Sequence, residues 1–394
     1  MLITLVLVAI LFILLLIIDF KIGKYNHNQN PRTLPKQETT GDYQLYKNGS
    51  ALYEDLFQDI ANAESQVDVY FFLVDNDYIS QNFLQVLKNK AIEGIPVRLC
   101  TDRIGGYKLN KKIRQDLKRS GVQFAFSETP GFPYFFYRIN RRNHRKITVI
   151  DGKIGYIGGF NIGSNYIGGS AKFGDWRDYH LRVTGPVVGA IHEILLDDWY
   201  LATGERIEKH TTTEKGKHKL KVFATDGVEL ENEFTSMVQS AKNEILIGSP
   251  YFVPTDQLQK ALKQAIENGV ELHILIPMKA DHPFVKEAGI PYLEELYHHG
   301  AHVHFYDDGF YHSKVIMIDG KFADIGTANF DRRSFFLNKE VNTYVYDEVF
   351  ISDLRRAYFE DVADAVPFDD HWLKRRALST RINEKIAVFL RPFL

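Results

Sequence analysis

The chain has a single cysteine in its 394 residues, Cys100, so no disulfide can form within it. The setting Val97-Arg98-Leu99-Cys100 reads as a buried strand thiol without a catalytic role. Net charge is nearly absent as well, at −2 with a pI near 6.7, so no global field draws the chain to nucleic acid. Histidines at familiar metal-ligand spacing are lacking, and His210 and His218 have no partners of that kind. Neither a metal nor a cofactor is therefore expected. Long apolar runs are missing with one exception: residues 1–18 carry only Thr4 as a polar residue, and Asp19 is the first charge. That length is at the short end for crossing hydrocarbon. No basic segment precedes the run, and Ile17-Ile18-Asp19-Phe20-Lys21 offers no small-residue cleavage site, so a retained anchor is expected. Lys21 and Lys24 flank it, which would place the remainder in the cytoplasm at the cell membrane.

What the chain does have is one stretch written twice. The first copy runs His144-Arg-Lys146-Ile-Thr-Val-Ile-Asp151-Gly and on to Gly158-Gly159-Phe-Asn161. The second runs His312-Ser-Lys314-Val-Ile-Met-Ile-Asp319-Gly and on to Gly326-Thr327-Ala-Asn329. Each is an apolar run, an Asp-Gly pair, a second apolar run and a small-residue corner, which is the pattern of a β-hairpin. Asp151 and Asp319, each before a Gly, read first as turn formers.

Side chains two apart on a strand share a face, so each His points with its Lys. An imidazole beside an ammonium suits attack on an anionic phosphoester: the ammonium holds the oxygens and the imidazole supplies the lone pair. The corners would let backbone N–H groups approach the phosphate. Two copies provide one nucleophile and one acid/base. A single His-x-Lys-x4-Asp would be a weak signal; two with matching tails are a strong one.

The pattern resembles the phospholipase D superfamily. Longer stretches, among them Phe173-Gly-Asp-Trp176-Arg177-Asp178, Pro250-Tyr251-Phe252-Val253-Pro254 and Leu337-Asn338-Lys-Glu340-Val341-Asn342, resemble bacterial cardiolipin synthases from about residue 45 to the closing Arg391-Pro-Phe-Leu394. The resemblance implies an α/β fold of two repeats packed with pseudo-twofold symmetry. It implies catalytic roles for His144, Lys146, Asp151, His312, Lys314 and Asp319, with Asn161, Asn329, Gly159 and Thr327 completing a phosphate cradle. Asp178 and Glu340 would each hold an imidazole tautomer from the far nitrogen; paired instead with Arg177 and Lys339, they would be surface salt bridges. By the same resemblance His144 attacks and His312 protonates the leaving group. The reaction implied is phosphatidyl transfer between two phosphatidylglycerols at an anionic membrane, giving cardiolipin and glycerol without metal. A phospholipase D hydrolase using water is the nearest rival, followed by a nuclease and a non-catalytic lipid-binding scaffold.

Around the motifs the two halves align as alternating strands and Gly-capped helices, implying a largely parallel, helix-covered sheet in each. The expected division is an anchor (1–20), a tether (21–44), a first domain (45–208), an exposed linker (209–221) and a second domain (222–394). The first half has 11 extra residues before its motif, since Gly121 to His144 spans 23 and Gly300 to His312 only 12. They fall in Pro130-Gly-Phe132-Pro-Tyr134-Phe135-Phe136-Tyr137-Arg138-Ile-Asn-Arg141-Arg142, which reads either as a lip for an anionic lipid or as an aromatic core loop. The basic and apolar tail from Trp372 suits either a membrane surface or the face of the second domain.

Overall fold

The computed structural model of the chain describes residues 1–32, 34, 36–209 and 214–390, with side chains to residue 387. Both motifs form the expected hairpins, Lys146–Ile150 with Ile154–Gly158 and Val315–Ile318 with Phe322–Gly326. Their corners need positive φ at both central residues, and Asp151-Gly152 (55° and 63°) and Asp319-Gly320 (52° and 64°) supply it. Beside each hairpin lie three parallel strands, Val67–Phe71, Val97–Asp102 and Gln123–Ser127 in the first repeat. Glu244–Gly248, Glu271–Pro277 and His302–Tyr306 take those places in the second.

All the main strands join one 15-stranded sheet. Its middle is the antiparallel pair Gln37–Tyr46 and His218–Asp226, and the same order of strand types runs outward from it on both sides. The expected pseudo-twofold arrangement is thus built into the strand order. The sheet is mixed rather than largely parallel: four of its strand pairs are parallel and ten antiparallel. The hairpins account for part of this. The rest comes from the central strands, which pair with the strands His180–Thr184 and Lys339–Val345 that carry the chain away from the hairpins.

Helix Val187–Thr203 buries Val187, Val188, Ile191, Ile194 and Leu195 on one stripe against the middle of the sheet. Helix Glu348–Ala363 does the same from the second repeat, with Ile351, Leu354 and Tyr358 in the same core. Separate cores fill the outer face of each repeat, and Cys100 is buried in its strand.

Two expected connectors are structured. Residues 21–29 of the tether continue helix Leu2–Gln29, and Gln37–Tyr46 is the central strand. That strand alternates exposed and covered residues, so its composition resembles a loop. Likewise His218 to Lys221, read as linker, begins the strand paired with it; residues 210–213 of that linker lie outside those described.

Candidate active site

His144 sits just before its hairpin strand, and its backbone N–H donates to the carbonyl of Lys339 at 2.9 Å. This fixes it beside Glu340 of the other repeat. Nδ1 of His144 lies 3.0 Å from Glu340 Oε2 and 3.1 Å from the carbonyl of Thr327. The second site repeats the plan in reverse: the N–H of His312 donates to the carbonyl of Arg177 at 2.7 Å, and its Nδ1 lies 2.6 Å from Asp178 Oδ2. Each acid therefore serves the histidine of the opposite repeat. In both cases Nδ1 is engaged and Nε2 is the nitrogen left for chemistry. Neither acid is a surface salt bridge: Arg177 pairs with Asp361 at 2.8 Å, and Lys339 with Glu128 at 2.9 Å and Asp198 at 3.3 Å.

The lysines are buried beside the histidines. Lys146 donates to the carbonyl of His144 at 2.6 Å; Lys314 donates to the carbonyl of His312 and stands 3.5 Å from Asp178. Burial lowers Lys146 to about 7, and the charge of Lys314 adds to this. Lys314 falls to about 8, mainly through burial, against the pull of Asp178. Burial also lowers both histidines, opposed at His144 by the carboxylate of Glu340. Two ammonium groups held below their ordinary range are a ready counter-charge for a phosphodiester, whose negative oxygens restore them.

The two acids differ. Glu340 accepts from Thr327 Oγ1 (2.6 Å), Ser334 Oγ (3.0 Å) and Asn338 Nδ2 (3.2 Å). Burial alone would raise its pKa, but the charge and hydrogen bond of His144, with Lys146 and Thr327, bring it below the usual range. Asp178 is raised, chiefly by burial. A Cβ at Gly159 would run into the Asp178 carboxylate, so this glycine makes room for the acid.

Two expectations are corrected here. The backbone N–H groups of Gly159 and Thr327 do not face a phosphate: they donate to Tyr179 and Val341 carbonyls, both at 2.9 Å. Asp151 and Asp319 lie past the far ends of their strands from the histidines, about 16 Å from Lys146 in the case of Asp151 at ~3.3 Å per residue. Each carboxylate collects N–H donors from the segment entering the neighbouring strand, Glu64, Ser65 and Gln66 for Asp151 and Lys242, Asn243 and Glu244 for Asp319. They are turn-locking residues. Of the asparagines, Asn161 is spent on the Leu73 N–H (3.2 Å) and Tyr166 hydroxyl (3.1 Å), whereas Asn329 Oδ1 is buried without a donor among the described residues.

Sequence reasoning missed Arg145, which is fully buried between His144 and Lys146. It donates to Asp198 at 2.8 Å, to the carbonyl of Thr225 at 2.8 Å and to the carbonyl of Glu340 at 3.2 Å, tying the acid's backbone to the histidine's strand. Its signal was available: a third charged residue inside an otherwise apolar strand entry. Aromatic walls also went unread, with Phe72 at 5.1 Å from His144 and Trp176 at 4.8 Å from His312 between ring centres.

The lip is a contact for the N-terminal helix. Phe20 of helix Leu2–Gln29 packs on Phe136 and Tyr137 at 6.1 and 5.8 Å, Asp19 accepts from the Tyr137 N–H at 3.0 Å, and Asn26 donates to the Tyr134 hydroxyl at 2.7 Å. Phe132 (86% exposed) and Phe135 (41%) face outward. Arg141 and Arg142 pair internally with Glu128, Asp226 and Asp102, which removes two of the three arginines from any lipid. The tail packs on the second repeat through Trp372 on Phe305 and Ala387 beside Val253 and Ala288. One donor group that spacing did not reveal, Glu271, His273 and His302, has ligand atoms within 4.8 Å of one another; it sits on the strands Glu271–Pro277 and His302–Tyr306, apart from His144 and His312.

Two imidazoles, each backed by a lysine and by an acid from the opposite repeat, define a phosphoester-transfer enzyme of the phospholipase D class. Comparison with known proteins narrows this. The family model described as cardiolipin synthase, PLD-like domain, matches residues 56–170 and 234–362, and the chain belongs to that family. It is 40% identical over 362 residues to the minor cardiolipin synthase ClsB of Bacillus subtilis, covering 91% of each chain. It is 36% identical to the cardiolipin synthase of Geobacillus kaustophilus, covering 94% of this chain and 75% of that one. Phosphatidylserine synthase of Haemophilus influenzae shares the fold, with TM-score 0.71 and 15% identity over 94% of this chain and 100% of the other.

Proposed function

We propose that the protein is a membrane-anchored cardiolipin synthase that uses phosphatidylglycerol as both phosphatidyl donor and acceptor. The observation that carries the transfer chemistry is the reciprocal His–acid pairing across the repeats. Nε2 of His144 attacks phosphorus, the bond to the leaving glycerol oxygen breaks, and His312 gives that oxygen its proton. A terminal hydroxyl of the second phosphatidylglycerol then returns a proton to His312 as its oxygen displaces His144. Lys146 and Lys314 hold the phosphate oxygens through both steps. The assignment of His144 as nucleophile is favoured by Glu340, which His144, Lys146 and Thr327 hold below the usual carboxylate range whereas burial raises Asp178; an ionised carboxylate strengthens the imidazole it orients.

The anchor favours transfer over hydrolysis. Helix Leu2–Gln29 is long and apolar enough to cross a membrane, and its last third is fastened to the lip before His144. This keeps the cleft at a surface where lipid hydroxyls are concentrated and water is scarce. Lys21 and Lys24 on the C-terminal flank favour a cytoplasmic catalytic body, and protease added to intact cells should then leave it uncut. Trapping tests the roles: with a phosphatidyl ester of a good leaving group, His312→Asn accumulates a phosphatidyl-enzyme on His144, seen by mass spectrometry, and His144→Asn forms none. The reverse pattern exchanges the two histidines.

A further inference from the structure

Asp281 lies on the loop between strand Glu271–Pro277 and helix Val285–His298. Its Oδ2 accepts a hydrogen bond from the Tyr251 hydroxyl at 2.6 Å, whereas its Oδ1 is buried and has no donor among the described residues. Tyr251 belongs to the turn that clasps the corner after Asn329: Phe330 N–H donates to Ser249 Oγ at 3.0 Å and Val253 N–H to the Phe330 carbonyl at 2.8 Å. The pair therefore stands at the wall of the cleft, and the charge of Asp281 acts on both His312 and Lys314. The corresponding loop of the first repeat carries Lys108 instead, whose ammonium is matched to Asp75 at 2.6 Å. Among the described residues Asp281 has no Lys or Arg partner; its ion pair is with the exposed His282, 3.7 Å from Oδ2.

A buried acceptor without a donor is costly, and a carboxylate in a phosphate-handling cleft repels the phosphate itself. What satisfies it is an uncharged group rich in O–H donors. A vicinal diol has the matching chemistry, with one hydroxyl to donate to Oδ1 and its neighbour to donate to the Tyr251 oxygen. We propose that Asp281 and Tyr251 form the headgroup subsite, which takes a glycerol bearing free vicinal hydroxyls. The inference rests on the transferase reading. Because the leaving glycerol takes its proton from His312 and the accepting glycerol returns one there, the same subsite serves both.

The test compares phosphatidylglycerol with phosphatidylethanol, which lacks headgroup hydroxyls, as donor in vesicles. Asp281→Ala should lower kcat/KM for phosphatidylglycerol about 10- to 100-fold, the scale of a lost hydrogen bond to a charged group, and lower that for phosphatidylethanol far less, by the general effect of its lost charge on His312 and Lys314. Turnover of phosphatidylethanol also shows that the variant is folded. Tyr251→Phe should move discrimination in the same direction and by less. Equal losses on both donors, or none, overturn the subsite. If the unaltered enzyme releases phosphatidic acid instead of cardiolipin, the synthase reading fails, while the donor comparison still reports on the subsite by itself.

Discussion

Glu340 of the second repeat stands 3.0 Å from His144 Nδ1 of the first, across 196 residues of sequence. Asp178 returns the relationship at 2.6 Å from His312, 134 residues away. The backbone makes the same exchange, because the residue before each acid accepts the N–H of the histidine it serves. Each His–acid pair is therefore completed by the opposite repeat, so the pseudo-twofold packing builds both pairs.

Glu340→Gln and Asp178→Asn keep the shape of each pair but remove the charge that holds the tautomer. Each should lower kcat about 10²- to 10⁴-fold with a small change in KM, as in other acid–imidazole pairs. Steady-state kinetics on phosphatidylglycerol vesicles would measure this, and a change confined to KM would mean that the acids only shape the pocket.

The pH profile follows from the directions of the shifts. Lys146 near 7 and Lys314 near 8 are charged below those values, and the acid His312, which must carry a proton, is lowered by burial as well, so kcat/KM should fall as pH rises and the lysine losses should complete the fall by about 8. His144, held below its ordinary value by burial, must be neutral to attack, which puts the acid limb below 6.5. A plateau persisting to pH 10 would show that ammonium charge on the free enzyme is not needed.

Arg145→Ala takes from the buried Asp198 its 2.8 Å partner and leaves Lys339 at 3.3 Å. Loss of one partner from such a buried pair costs about 3–5 kcal/mol. Denaturant unfolding in detergent should show that loss, and a double change of Arg145→Met with Asp198→Asn should recover part of it. An unchanged midpoint in the single variant would mean that Lys339 alone holds Asp198.

How much of this was legible in the sequence depended on range. The hairpins were readable because Asp-Gly and the flanking β-branched runs act locally. The acids were readable as a pair through resemblance, yet reading each half by itself concealed which histidine each one serves. Gln37–Tyr46 escaped notice because a strand covered on alternate residues needs few apolar side chains. Arg145 escaped because a buried charge is identified by its partner, and Asp198 is 53 residues away. The lip shows both of its possible readings: Tyr137 packs as core against the anchor, and Phe132 stays outside.

That division makes the lip testable. Phe132→Ser with Phe135→Ser leaves Phe136 and Tyr137 on the anchor while removing apolar groups from the outward face. The share of phosphatidic acid among products should rise more than total turnover falls, since water gains access to the intermediate. A proportional drop in both products would assign these rings to folding or general lipid binding.

Transfer to a lipid hydroxyl is decided by product analysis with phosphatidylglycerol as the sole lipid. Purified enzyme in such bilayers, with lipids resolved by chromatography and glycerol assayed in the aqueous phase, should yield cardiolipin and free glycerol in equal amounts with little phosphatidic acid. Phosphatidic acid as the main product, with glycerol released and no cardiolipin, would contradict it and leave a hydrolase.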